Sequence, residues 1–191
     1  MVNGSVGPVA CGTFPSTWCE DASGNIYFGT YQSAYYAEIF KSTDGGNTFS
    51  SIYFSEENQH IHSVKIDPFT SYIYAGVDAS RDYIKNVRST DGGSTWTELN
   101  IPYYNKDYGL TYFGDGFRLG HGEAANVGGI TIYKTTDDES FTPVLNTMQG
   151  VRTITKIGNM IVAGGNAARV NRQSQIYVSF ANGDTWETAF A

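Results

Sequence analysis

Apolar and polar residues alternate along this chain in short runs, broken repeatedly by Gly, Asn, Asp and Ser. Runs of this kind predict β-strands joined by tight turns. No stretch sustains the apolar period of a helix, and 22 glycines oppose one. The runs also recur. Ile26-Tyr27-Phe28-Gly29, Ile73-Tyr74-Ala75-Gly76, Phe117-Arg118-Leu119-Gly120 and Met160-Ile161-Val162-Ala163-Gly164 each end in glycine, and those glycines step by 47, 44 and 44. A further β-rich run follows each one: Glu38 to Lys41, Asn86 to Ser89, Ile130 to Lys134 and Gln175 to Ser179. Another comes after the next turn, as in Thr48 to Phe54 and Thr95 to Ile101, and one precedes each unit, clearest in Ile61 to Asp67 and Val151 to Ile157.

Four strands per unit, A to D, predict an all-β fold, a β-propeller built of four-stranded antiparallel blades with four blades in this chain. One domain is expected, with blades at about 12–56, 57–103, 104–148 and 149–191. A signature closes each strand C: Ser42-Thr43-Asp44-Gly45-Gly46-Asn47-Thr48-Phe49, Ser89-Thr90-Asp91-Gly92-Gly93-Ser94-Thr95-Trp96, Thr135-Thr136-Asp137-Asp138-Glu139-Ser140-Phe141 and Ser179-Phe180-Ala181-Asn182-Gly183-Asp184-Thr185-Trp186. The closing aromatics step by 47, 45 and 45. An Asp in such a turn can accept backbone N–H bonds, and glycine takes angles that a Cβ forbids. The aromatic is expected to pack on the neighbouring sheet. Asp44, Gly46, Phe49, Asp91, Gly93, Trp96, Asp137, Phe141, Gly183 and Trp186 are therefore read as structural staples, with Thr48, Thr95 and Thr185 opening strand D.

The signature resembles the Asp-box, or BNR repeat, of sialidases, xyloglucan-type glycosidases, sortilin-like receptors and photosystem assembly factors. The first two copies match it closely, the third is one residue short, and the fourth carries Ala181 at the Asp position. The resemblance implies a sialidase-like propeller whose Asp-boxes lie away from its active site. WD and kelch signatures are absent, which argues against those propeller families.

Composition narrows the partners. A net charge of −7 without a basic cluster argues against nucleic acid. No apolar run is long enough for a membrane-crossing helix, and the start has no signal-peptide pattern. The low charged fraction and the many Tyr, Asn, Ser, Thr and Gly residues suit an extracellular setting or a virion or cell surface. Cys11 and Cys19 leave two readings open: a bridge from the lead segment to the first strand A, or two small buried residues.

Alternating strand direction puts the signatures on one face, the bottom. The top face is then built from the B–C connections (30–37, 78–86, 121–129 and 165–174) and the D–A connections. Aromatic rings with planar polar partners suit a glycan or protein ligand. The ligand-binding candidates there are Tyr35, Tyr36, His60, His62, Asp78, Arg81, Tyr83, Tyr104, His121, Glu123, Arg152 and Arg169. The i, i+2 spacing puts His60 and His62 on one face of strand A, where His121 or Glu123 would have to complete a metal site. His62 is in phase with Val64 and Ile66, so a packed, hydrogen-bonded histidine is the simpler reading, and neither metal nor cofactor is expected.

A sialidase needs three arginines on the substrate carboxylate, and the resemblance places the first in a Phe/Tyr-Arg-Ile-Pro motif. Phe117-Arg118-Leu119-Gly120 departs at the proline and occupies strand B, so Arg118 is read as structural. Arg152, at the top of strand A in the fourth unit, is better placed for a pocket. Six blades at this period would need about 270 residues, so four leave the ring small, shared between chains or continued in a longer chain. A non-catalytic module binding a glycan or protein through its top face is expected. A sialidase-like or other glycoside hydrolase and a structural surface module are the alternatives.

Overall fold

In the computed structural model, residues 17–31, 36–56, 60–79, 83–101, 109–122, 130–147, 150–165 and 175–190 are described, by backbone alone at 78, 79, 83, 84, 130 and 190. They form four four-stranded antiparallel sheets and no α-helix. Blade 1 holds β1 (Trp18–Glu20), β2 (Ile26–Gly29), β3 (Ala37–Ser42) and β4 (Ser50–Ser55). Blade 2 holds β5 (His60–Ile66), β6 (Ile73–Ala79), β7 (Tyr83–Ser89) and β8 (Thr97–Leu99). Blade 3 holds β9 (Gly109–Gly114), β10 (Phe117–His121), β11 (Ile130–Thr135) and β12 (Thr142–Thr147). Blade 4 holds β13 (Thr153–Ile157), β14 (Met160–Gly164), β15 (Ile176–Ser179) and β16 (Glu187–Phe190). Within each sheet the strands lie side by side in chain order.

Both faces of an inner blade are apolar, because each packs on a neighbouring blade. Tyr27 and Ile39 of blade 1 meet Ile61, Val64, Ile73 and Ala75 of blade 2 in one buried cluster. Tyr74 and Leu99 of blade 2 meet Leu110 of blade 3. Phe117, Leu119 and Ile132 of blade 3 meet Ile154, Ile161 and Tyr177 of blade 4. The core is thus three interblade joints. Among the described residues, blades 1 and 4 share no comparable packed interface.

The signature turns hold as a set of short hydrogen bonds. Asp44 accepts from the Thr48 amide at 2.9 Å, the Thr48 hydroxyl at 2.6 Å and the Ser42 hydroxyl at 2.8 Å. Asp91 repeats the pattern with Thr95 and Ser89. These bonds, and at Asp137 those from the Ser140 and Glu139 amides, favour the carboxylate and bring the pKa of Asp44, Asp91 and Asp137 down to about 2. Thr48, Thr95 and Thr185 close the turn rather than open strand D, which starts two residues later in each case. Three of the aromatics, Trp96, Phe141 and Trp186, bind the preceding blade. Trp96 donates its Nε1–H to the Ile52 carbonyl at 2.8 Å and meets the Tyr53 ring edge-on at 5.3 Å. Phe141 packs with Tyr74 and Leu99, and Trp186 packs with Val144 and Leu145. Gly93 has no room for a side chain, since a Cβ there would lie 2.7 Å from Ile52.

One more contact crosses every joint. The residue before each of the first three signatures is a cation, and it reaches the next blade's turn. Lys41 Nζ donates to the Gly92 carbonyl at 3.3 Å, Arg88 Nη1 to Asp138 at 2.7 Å and Lys134 Nζ to Asp184 at 2.6 Å.

The joint between blades 2 and 3 departs from the others, and it corrects the sequence alignment. Strand pairing sets Ile26 opposite Ser42, Ile73 opposite Ser89, Ile161 opposite Ser179, and Arg118 opposite Thr135. Arg118 therefore stands where the other blades have isoleucine. The structural equivalent of Gly29, Gly76 and Gly164 is His121 and not Gly120. The third turn lacks one of the two left-handed residues found in the others, and Asp138 fills the remaining one at φ 62° where Gly46, Gly93 and Gly183 stand elsewhere. Its buried carboxylate accepts from the Tyr74 hydroxyl and from Arg88, both at 2.7 Å, and lies 3.3 Å from Arg118 Nη1. Arg118 also donates to the buried Asp67 through Nε at 3.1 Å and Nη2 at 2.9 Å. The reading of Arg118 as structural agrees with this clasp. The Asp138 carboxylate helps hold the Tyr74 hydroxyl protonated, second to burial, and holds Arg88 charged against burial.

Replacing Arg118 by Ile leaves two buried carboxylates short of a partner and should cost about 3–5 kcal/mol in urea unfolding. The double variant Arg118→Ile/Asp138→Gly, which restores the pattern of the other blades, should recover a large part of that loss, a non-additivity that a double-mutant cycle reads directly. In the turns, Asp91→Ala should lower the thermal midpoint at neutral pH, and Ala181→Asp should raise it by giving Thr185 the acceptor that Thr48 and Thr95 have. The folded-state pKa lies below the ordinary 3.8, so this stabilisation is complete above that value and is lost as pH falls through about 2. Both differences should therefore shrink in melts run across that window.

Candidate functional site at the top of the first joint

Antiparallel order sends the A–B turns and the signature turns to one end of the blades and the B–C and D–A connections to the other. At that second end, β2 of blade 1 runs on past Gly29 and zips onto β5 of blade 2. The Ile61 amide donates to the Thr30 carbonyl at 2.8 Å, and Tyr31 bridges to His60. The approach is close because Gly29 lacks a side chain; a Cβ there would sit 2.4 Å from Ile61. Thr30 is anchored in turn to Glu38, its Oγ1 accepting the Glu38 amide at 3.0 Å.

This zipper gathers three rings. Tyr31 lies 4.3 Å from His60 and 5.9 Å from His62, centroid to centroid, and the two imidazole Nε2 atoms are 3.0 Å apart. One ring donates and the other accepts, so the bond requires at least one neutral imidazole. The shared face predicted from i, i+2 spacing is present. The predicted phase with Val64 is not, because the β5–β6 register shifts between Ile61 and Ser63 and places His62 at a bulge. The bulge keeps both histidines half-buried at the top while Ile61, Ser63 and Val64 turn inward. Bulges re-aim side chains in this way beside functional sites.

The other candidates scatter. Asp78 pairs with His60 across the β5–β6 ladder and Tyr83 with Ala79, which puts their backbones beside the cluster. Tyr36 faces away from it, packed on Phe54 at 5.6 Å on the outer side of blade 1. His121 is buried against the backbone at Val151 and Gly122, and burial brings its pKa down to about 4, with the charges of Lys65 and Arg152 acting the same way. It is neutral at neutral pH and out of reach of a ligand on the face. Arg152 is half-buried at the head of blade 4, its amide bound to the Gly164 carbonyl at 2.8 Å. Tyr35, Arg81, Tyr104, Glu123 and Arg169 lie outside the described residues, as does Cys11. Cys19 is a free thiol, and burial pushes its pKa up to about 12, which keeps it unreactive. Thr30 and the bulge were missed from sequence; the doubled His-x-His was the visible signal.

At the opposite end a groove of about 360 Å³ opens between the A–B turns of blades 1 and 2, lined by Glu20, Asp21 and Asp67 among others. Its acids are already committed: Asp21 accepts from Asn25, Ser23 and Tyr27, and Asp67 from Arg118 and the Phe69 amide. Among the described residues, no three His, Cys, Asp or Glu side chains gather closely enough to hold a metal ion.

No protein-family model matches the sequence, and no curated protein does. Solved structures do resemble the fold. The GH74 enzyme of Niastella koreensis superposes with a TM-score of 0.69 at 17% identity, over 91% of this chain and 29% of that one. A Hadza microbial sialidase gives 0.61 at 13% identity, over 86% of this chain and 42% of its own. The α-L-arabinofuranosidase of Fusarium graminearum gives 0.58 at 14%, over 90% and 64%. The chain thus spans under two thirds of each of these neighbours. At such identities the likeness is one of fold, and the chain has the sialidase-like β-propeller fold.

Proposed function

We propose that this chain is a propeller module that binds a glycan, or a protein ligand presenting similar groups, through its top face. The observation that carries the reading is the Tyr31–His60–His62 cluster at the first joint, three half-buried rings on a zippered backbone. Sugars are bound by ring faces against their C–H surfaces and by directional donors and acceptors on their hydroxyls, and this cluster offers both. The setting that fits is a cell or virion surface, where such ligands are displayed. Binding needs no metal or cofactor in this reading.

A hydrolytic reading is favoured by one observation, the likeness of the fold to enzymes that are named glycosidases. Against it, Arg118 is consumed by Asp67 and Asp138 and is no carboxylate clamp. Catalysis would rest on Arg152 and on acids in the connections, completed by blades beyond these four.

A glycan panel and a set of fluorogenic sialosides and other aryl glycosides separate the two. Binding without turnover is expected. Tyr31→Ala and His62→Ala should each weaken the bound glycan roughly tenfold, the loss of about 1.4 kcal/mol of ring contact. Turnover that disappears in Arg152→Ala would overturn the non-catalytic reading.

A further inference from the structure

His60 and His62 make a contact that ring surfaces for a sugar do not require. Their imidazoles converge on their tips: the two Nε2 atoms stand 3.0 Å apart while the ring centroids are 4.7 Å apart. Two residues of a strand rise about 6.6 Å, so tips this close mean that the rings lean toward each other.

The first joint holds them there. His60 pairs with Asp78 across the β5–β6 ladder and bridges to Tyr31 of blade 1, so its backbone is fixed from both sides. The Tyr31 ring stands against both imidazoles, face-tilted on His60 at 4.3 Å and edge-on to His62 at 5.9 Å, and limits their rotation. Preorganisation of this kind is what a ligand set needs. Both histidines remain half-buried, so solvent still reaches them.

We propose that this pair chelates one divalent transition-metal ion, copper(II) or nickel(II), through its two Nε2 atoms. Imidazole suits these ions, and geometry selects among metals. Metal–nitrogen bonds of about 2.0–2.1 Å set two ligands about 2.9 Å apart at a right angle and about 3.4 Å apart at the tetrahedral angle. The observed 3.0 Å fits the right-angled bite of tetragonal copper(II) or nickel(II) and is short for tetrahedral zinc. Without an ion, a hydrogen bond spans the same gap and keeps the site assembled. On binding, the donor ring carries its proton on Nδ1 instead, the acceptor ring keeps its own, and the ion takes both Nε2 lone pairs. The proton count does not change. Among the described residues no third His, Cys, Asp or Glu joins the pair, so water completes the coordination and the ion is exchangeable. The inference concerns the same rings as the glycan reading but does not rest on it.

Copper(II) titrated into the chelator-treated full chain, without a polyhistidine tag, tests this. Saturable uptake of one ion per chain is expected. Its electron paramagnetic resonance spectrum should be that of a tetragonal ion with two imidazole nitrogens. His60→Gln and His62→Gln should each remove the saturable site while leaving the β-sheet circular dichroism spectrum unchanged. No saturable uptake, a spectrum without two imidazole nitrogens, or a site that survives both substitutions would overturn the assignment. So would zinc(II) binding as tightly as copper(II), which the right-angled bite disfavours. If a variant unfolds, the spectrum of the unaltered chain still decides, because it reports the nitrogen ligands directly. These titrations contain no glycan, so their outcome is separate from that of the glycan panel.

Discussion

Every joint in this structure rests on one hydroxyl. Ser42, Ser89, Thr135 and Ser179 are each buried at the end of a strand C, and each side-chain oxygen accepts the amide of a left-handed residue in the following turn: Gly46 at 2.9 Å, Gly93 at 2.8 Å, Asp138 at 2.9 Å and Gly183 at 3.0 Å. That bond satisfies an amide with no strand partner and folds the chain back tightly. Only then does the aromatic come to lie on the preceding blade. The carboxylate after the hydroxyl is an added brace. The fourth turn has Ala181 in its place, and Trp186 still donates to the Gly183 carbonyl at 2.9 Å, as Trp96 does to Gly93 at 3.1 Å. The Asp gives the motif its appearance, whereas the hydroxyl is present in all four turns.

The joint between blades 2 and 3 shows how one irregularity constrains several residues. Shortening the turn removes a left-handed residue, and the aspartate that takes the surviving one points into the joint. A buried carboxylate there needs cations and donors, and Arg88 and Tyr74 supply them from blade 2. Arg118 replaces the isoleucine of the other blades and carries charge to Asp67 on the far side. Asp67 and Asp138 against Arg88 and Arg118 leave the cluster neutral. Taken singly, each of these residues breaks the repeat; taken together, each supplies the partner that another requires.

The fold was legible because its signals are local. Strand runs, turn glycines and the repeat period depend on neighbours in sequence, and the sheets follow them closely. Three things were not legible, each for a non-local reason. The one-residue offset at Arg118 appears only when Thr135 is seen opposite it across the ladder. The bulge at His62 is set by pairing with β6, which a strand's own alternation cannot reveal. The burial of His121 depends on the backbone of the next blade at Val151. The candidate site was legible as a doubled histidine near the top of a strand. The ring that completes it, Tyr31, stands 29 residues earlier in a different blade.

That separation says something about where sites on such a scaffold arise. Tyr31 reaches His60 because strand B of one blade overruns its sheet and pairs with strand A of the next, and Gly29 permits the approach. The cluster therefore belongs to a joint and not to a blade. A blade in isolation would hold the two histidines without the tyrosine, and the tyrosine without the backbone that fixes it. The signature turns at the bottom secure the blades against each other, and that security is what lets the top end bring residues from two blades within ring-stacking distance. At the third joint the same top position carries His121, whose side chain is buried against the backbone at Val151 and Gly122. The residue at the end of strand B thus sets the first joint, where glycine admits the neighbouring strand, apart from the third, where a buried imidazole stands.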